Sequence, residues 1–308
     1  MGKVVILVNR KGGTVRDRGP GRIEAQLRDA VEAAGWDADI RLIHPRAFAS
    51  DIRALLKRKD PPEVIVIGGG DGSLSTAAGV LAGTDTALGV LPLGTMNLYA
   101  RALGMPLDTG EAIAALATAR PRQLDLLDIN GHQVLQHATM GLTAKVIRIR
   151  ESMPYRTRFG RLTNGVIAWM RAIRVPRPVR VVARGGDGED FSRVATALLI
   201  SNNRLPEEIG ETPVSQDMTK GEIGVYVCAS RRRADVVALT LATTLGIWRS
   251  TELVEEIVVR DLTIETGRSR VRMVIDGELV RLKTPLKCSM RRKCLKVLTP
   301  RPANDLKS

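Results

Sequence analysis

The sequence predicts α/β plus all-β architecture in one chain: an N-terminal doubly wound α/β domain and a C-terminal antiparallel β-sandwich domain. Three observations carry this reading. Strand-like and helix-like segments alternate up to about residue 128, two glycine turns each follow an apolar run, and from Arg122 onward the texture changes to short alternating runs of β character.

Taken in order, Val4 to Val8 is a short β-branched run that stops at Asn9, a residue type that favours turns, and a glycine-rich loop follows. Arg22 to Ala34 sets Ile23, Leu27, Ala30, Val31 and Ala34 at helical spacing and ends at Gly35, a common helix terminator. Asp39 to Ile43 returns as a strand and Ala47 to Lys57 as a helix, and Pro61-Pro62 breaks the chain before a strand that starts at Val64. The βαβαβ order implies a parallel sheet with helices on both faces, which binds ligands at the carboxyl ends of its strands.

Leu107 to Ala119 reads as a further helix. Beyond a boundary near residue 128, strands are expected at Gln133 to Thr139, Val179 to Ala183, Ala195 to Ile200, Ile223 to Cys228, Glu256 to Val259, Leu262 to Thr266, Val271 to Ile275 and Leu279 to Leu282. Two helices interrupt them, at Gly160 to Ile173 and Arg233 to Ile247. The expected domains are 1–128 and 129–298, with a polar tail over 299–308.

The chemistry is concentrated in Val64 to Thr76, where an apolar run ends in Gly68-Gly69-Gly70-Asp71-Gly72-Ser73. Consecutive glycines remove Cβ atoms where the chain turns, so backbone N–H groups can approach an anion. Ser73 to Val80 reads as the start of a helix, whose exposed N–H groups and dipole favour negative charge. An ordinary strand-to-helix turn would use the same residues without a ligand. The dinucleotide fingerprint fails because Ser73 stands where its last glycine would be, and no G-x-x-x-x-G-K-[ST] occurs. A second stretch, Gly89 to Arg101, repeats the design of strand, glycine turn and helix around Gly94-Thr95-Met96-Asn97.

GGGDGS followed by PLGTMNLYARALGMP resembles the diacylglycerol kinase-like lipid kinases, a family that includes sphingosine and ceramide kinases and is distantly related to NAD kinases and phosphofructokinases. The resemblance reaches Asn9 to Gly13, Leu124-Asp125-Leu126 and Ile275-Asp276-Gly277-Glu278. It implies an ATP- and Mg²⁺-dependent kinase that phosphorylates a hydroxyl of a neutral lipid such as diacylglycerol or ceramide. Under it, Gly68, Gly69, Gly70, Gly72 and Ser73 cradle the phosphates, Gly94 and Thr95 contact the nucleotide, and Asn97 shapes that turn. Asp71 and Asp125 are the implied carboxylates near the metal, which prefers oxygen ligands. Glu278 is the implied base, with Asp276 beside it orienting the acceptor or the metal.

Each acidic residue also has a plainer reading. Asp71 suits a helix N-terminus, Asp125 a turn, and Asp276-Gly277 between two β runs is a strong hairpin signal. The chain departs from the family at Leu98, where an aspartate is common, and at Lys220 within Asp217 to Glu222, where relatives place a structural metal. An ammonium cannot ligate Mg²⁺, but Lys220 could replace it as a fixed positive charge. Gln136 stands where relatives often have asparagine, and His44 reads as a strand-end residue. The alternatives are an NAD kinase-like enzyme, disfavoured by the form of the second turn, and a catalytically weak lipid- or nucleotide-binding module.

Composition narrows the partners. Hydrophobic residues make up 44% of 308, ample for packed cores, yet apolar runs stop short of the roughly 18 residues of a membrane span. With no leader pattern, the expected location is cytoplasmic and peripherally membrane-associated. Three cysteines without C-x-x-C spacing suggest neither a disulfide framework nor a zinc site. A net charge of +14 implies an anionic partner, and with aromatics at 3% there are few platforms for stacking bases, so no nucleic acid is expected and an anionic membrane surface is favoured. Arginines flanking Gly160 to Ile173 are the expected contact. A homo-oligomer is compatible with this reading.

Overall fold

The computed structural model describes residues 3–141, 179–185, 191–206, 215, 217–229, 232, 235 and 251–300. Contacts divide the chain into two units, Met1–Leu126 with Arg291–Ser308, and Leu127–Met290.

The first unit runs β1 (Val4–Asn9), α1 (Gly13–Arg18), α2 (Pro20–Ala33), β2 (Ala38–Ile43), α3 (Phe48–Leu56), β3 (Val64–Gly69), α4 (Asp71–Leu81), β4 (Ala87–Pro92), α5 (Leu98–Ala102), α6 (Thr109–Thr118) and most of β5 (Arg120–Ile129). Strands lie in the order β2-β1-β3-β4, each pair parallel. Every residue of β3 and β4 is buried, as expected of a parallel sheet covered on both faces. Helix α2 buries Ile23, Leu27 and Val31, one per turn along a single stripe. It starts at Pro20, a residue suited to the first helical position, rather than at the expected Arg22. The expected glycine-rich loop contains α1, whose one buried residue, Val15, left no periodicity to read.

The second unit is built of strands β6 (His132–Val134), β7 (His137–Gly141), β8 (Val179–Gly185), β9 (Phe191–Ala195), β10 (Ala197–Asn202), β11 (Ile223–Cys228), β12 (Val254–Val259), β13 (Asp261–Thr266), β14 (Arg270–Ile275) and β15 (Glu278–Lys283), with the first part of β16 (Leu286–Thr299). Among the described residues one sheet has the order β12-β11-β10-β7-β14-β15, all antiparallel. The other places β16, β13, β8 and β9 side by side, with β5 and β6 on β16. Their inner faces share one core, in which Leu262, Ile264 and Cys288 of one sheet meet Met140, Ile200 and Met273 of the other. The predicted pairing of α/β and β-sandwich architectures is therefore what the chain adopts.

Three details differ from expectation. The strand expected over Gln133 to Thr139 is broken at Leu135 and Gln136, because the Asp276 carboxylate takes the N–H groups of both. The strand expected over Ala195 to Ile200 is interrupted at Thr196, whose N–H and hydroxyl both bond to the Cys228 carbonyl, at 2.8 and 3.1 Å. The final strand, β16, had no sequence prediction, and it redraws the domain boundaries. Residues 291–298, expected in the second domain, belong to the first unit, where Val297 pairs in parallel with Leu88. The predicted helices Gly160 to Ile173 and Arg233 to Ile247, and the arginines around the first, lie outside the described residues. Among the described residues no helix is long and apolar enough to cross a membrane.

Candidate functional site

Strand register brings the loops of the first unit to one edge. Asn9 pairs with Ile43, Val8 with Gly68, and Gly69 with Pro92, so β1 to β4 end level with one another. The two glycine turns then leave from adjacent strands and interlock. A Cβ on Gly94 would lie 2.4 Å from the Gly70 Cα and 2.7 Å from the Asn97 Oδ1, so only glycine allows the two backbones to approach this closely. Gly69 is held in the same way by Ser73, whose Cβ and Oγ would each lie 2.9 Å from an added methyl.

Helix α4 starts from this contact. The Gly70 carbonyl accepts the N–H groups of Ser73 and Leu74 at 3.0 and 3.2 Å, and no side chain caps the helix end. The Asp71 and Gly72 N–H groups therefore have no acceptor within the helix, and with the dipole of 11 residues behind them they form a donor pair suited to an anion. Asn9 donates from Nδ2 to the Ser73 Oγ at 3.0 Å and accepts the Lys11 N–H at 2.9 Å on Oδ1, which ties the first loop to the start of α4. Asn97, in the left-handed region at φ 51°, accepts the Gly94 N–H at 2.9 Å and donates to the carbonyls of Gly94 and Pro92 at 3.2 and 3.4 Å. The Asp71 Oδ1 accepts the Tyr99 N–H at 3.0 Å, joining the start of α4 to that of α5. Thr95 stays exposed.

Positive charge collects beside this edge. His44, whose Nδ1 accepts the Arg46 N–H at 3.3 Å, has its pKa lowered by loss of hydration and then by the charges of Lys11, Arg46 and Arg10. This arrangement of cations, uncapped helix and glycine turns can hold a polyphosphate.

The remaining predicted residues have other settings. Asp125 is buried in the first unit and accepts the Lys293 N–H at 2.7 Å. Asp276 is 3% exposed and its two oxygens accept the N–H groups of Leu135 (2.8 Å), Gln136 (2.9 Å) and His137 (3.3 Å). Its φ of 45° and that of Gly277, 87°, make the two-residue hairpin turn that the Asp-Gly pair foretold. That carboxylate holds the β6 to β7 crossing. Glu278 opens β15 opposite Ile275, is exposed, and makes no side-chain bond among the described residues.

Lys220 is exposed and forms no ion pair among the described residues, and the Asp217 Oδ1 accepts the Thr219 hydroxyl at 2.6 Å. Among the described residues no three His, Cys, Asp or Glu side chains gather as a metal site. Asp71 still fits a cation carried in by phosphate, since only one of its oxygens has a backbone partner. Sequence reasoning assigned no role to Asn9 or Tyr99. A turn residue was readable at Asn9, but not its bond to a hydroxyl 64 positions away.

The family of the diacylglycerol kinase catalytic domain matches residues 3–129. A relative from Pseudomonas syringae pv. tomato, named a probable lipid kinase, YegS-like, is 38% identical over 131 residues. That match takes in 40% of this chain and spans 42% of the relative's length. The structure of a diacylglycerol kinase from Bacillus anthracis str. Sterne aligns with a TM-score of 0.72 at 19% identity over 98% of both chains. An NAD kinase from Archaeoglobus fulgidus in complex with ATP aligns with a TM-score of 0.50 at 11% identity over 99% of this chain and 96% of its own. Both structural likenesses concern the fold. The similarity to the diacylglycerol kinase catalytic domain family is thus carried by residues 3–129 of this chain.

Proposed function

We propose that the protein transfers the γ-phosphoryl group of ATP to a hydroxyl of a neutral lipid, with diacylglycerol, ceramide or a related lipid as acceptor. The observation that carries this reading is the approach of Gly70 to Gly94 beside the uncapped start of α4, in a domain similar to the diacylglycerol kinase catalytic family. The name of the Pseudomonas relative supports a lipid as acceptor.

In this reading the Asp71 and Gly72 N–H groups hold the phosphates, and Lys11, Arg10 and Arg46 attract them. Mg²⁺, when bound with ATP, would neutralise charge on the transferred group, and Asp71, one of whose oxygens accepts the Tyr99 N–H, would hold it. Asp125 keeps its fold contact to Lys293 and supports that part of the unit from within. Thr95, exposed beside Gly94, contacts the nucleotide, and Asn97 fixes the turn that presents it.

During transfer the bond from the γ-phosphorus to the bridging oxygen breaks and a bond from phosphorus to the lipid oxygen forms. The hydroxyl proton passes to Glu278, which is exposed and carries no competing partner, and Asp276 fixes the hairpin that presents it. ADP leaves as the other product.

ATP consumption by the purified chain, measured with and without long-chain neutral lipid, tests the reading. Turnover that depends on lipid supports it. Nucleotide binding without lipid-dependent turnover would leave a binding module instead.

A further inference from the structure

The edge hairpin of the second unit carries an array of cations that folding alone does not explain. In β14 and β15, Arg270 lies directly opposite Lys283 and Arg272 directly opposite Arg281. Val271, Met273, Ile275 and Leu282 of the same strands face the sandwich core, so strand alternation sets all four cations on the opposite face. All four are exposed, and none of their side chains makes a hydrogen bond or ion pair among the described residues. The next pair on that face, Val274 opposite Leu279, is apolar. Like charges directly opposite each other destabilise a strand pair, and here two such pairs stand in succession.

We propose that this face of the β14–β15 hairpin docks on an anionic lipid bilayer. Four cations held on a sheet surface, roughly 5 Å apart across the strands, form a flat charge array that matches a plane of anionic headgroups. Glu256, an acid on the same face, lies on β12 at the far edge of the sheet and is already paired with Arg204 at 2.9 Å. The choice of a bilayer rests on the lipid-acceptor reading above. The docking itself needs no catalysis, so a binding measurement without ATP separates a failure of docking from a failure of that reading.

The experiment is flotation of the full chain with vesicles of phosphatidylglycerol and phosphatidylcholine in equal parts, and with vesicles of phosphatidylcholine alone. Arg272→Gln combined with Arg281→Gln is expected to lower partitioning onto the anionic vesicles by about thirtyfold, roughly fivefold for each cation removed at the surface. Binding to neutral vesicles should be weak for both proteins. The same pair should keep or raise the melting temperature, since like-charge repulsion is relieved. A control, Arg18→Gln with Arg22→Gln on the first unit, removes the same charge elsewhere and should lose far less. Unchanged partitioning of the folded hairpin variant, an equal loss in the control, or binding of duplex DNA through these residues without vesicle binding would each overturn the proposal. Aggregation of the hairpin variant with vesicle binding retained would do the same, and would leave the cations as guards of an open sheet edge.

Discussion

The Asp71 carboxylate accepts the backbone N–H of Tyr99 at 3.0 Å, so one acidic side chain joins the two glycine turns on which the candidate site is built. The bond uses one oxygen and needs no negative charge, which separates what Asp71 does for the fold from what it does for a cation.

Asp71→Asn keeps an oxygen acceptor for Tyr99 and should melt within about 1 kcal/mol of the wild type, while its kcat falls on the order of a hundredfold through lost charge near the metal. Asp71→Ala should lose both stability and activity. Thermal melts paired with phosphoryl-transfer rates decide this, and wild-type turnover by Asp71→Asn across Mg²⁺ concentrations would reduce Asp71 to a structural link.

Gly94→Ala forces a methyl to within 2.4 Å of the Gly70 Cα. The turns must separate, at a cost of about 1–3 kcal/mol, with ATP affinity falling as they do. Urea unfolding and nucleotide titration of this variant would show both losses together. A variant that binds ATP normally would mean that the close approach does not form the nucleotide site.

Asp276 and Glu278, two residues apart, should respond in opposite ways. Asp276→Ala strands two buried N–H groups and a half-buried one, and should cost about 3 kcal/mol or more. Glu278→Gln, at an exposed position, should leave the melting temperature unchanged and lower kcat much more than ATP affinity. Full lipid phosphorylation by Glu278→Gln would remove it as the base.

Burial, and then the charge of Asp128, push the Cys288 thiol up from an ordinary 9.0 to about 12. Below pH 9 the thiol is neutral whether the chain is folded or not, and this group leaves stability unchanged. As pH rises from 9 towards 12 only the unfolded chain gives up the proton, so stability falls by about 1 kcal/mol per pH unit. Cys288→Ala should unfold more easily at neutral pH but show a shallower decline at alkaline pH. Equal slopes for the two proteins in denaturant titrations would contradict this origin.

Much of this was legible because local chemistry and tertiary structure agree. The buried runs at Val4 and Val64, the one-per-turn stripe of Ile23, Leu27 and Val31, and the Asp276-Gly277 turn all form where sequence rules place them. What stayed hidden depends on partners distant in the chain. The break at Leu135 and Gln136 is made by a carboxylate about 140 positions later, and the return of β16 to the first unit rests on Val297 finding Leu88. Asp125 and Asp276 were singled out as acids, but their burial against backbone N–H groups cannot be seen from residue type.

The proposed function stands on one step, phosphoryl transfer from ATP to a lipid hydroxyl catalysed by this protein. The direct measurement is transfer of labelled γ-phosphate from Mg·ATP to a panel of diacylglycerol, ceramide and NAD, each presented separately to the purified protein. A labelled phosphorylated lipid is expected from at least one neutral lipid, no labelled product from NAD, and loss of label with Glu278→Gln. Labelled NADP with no labelled lipid would contradict the proposed function.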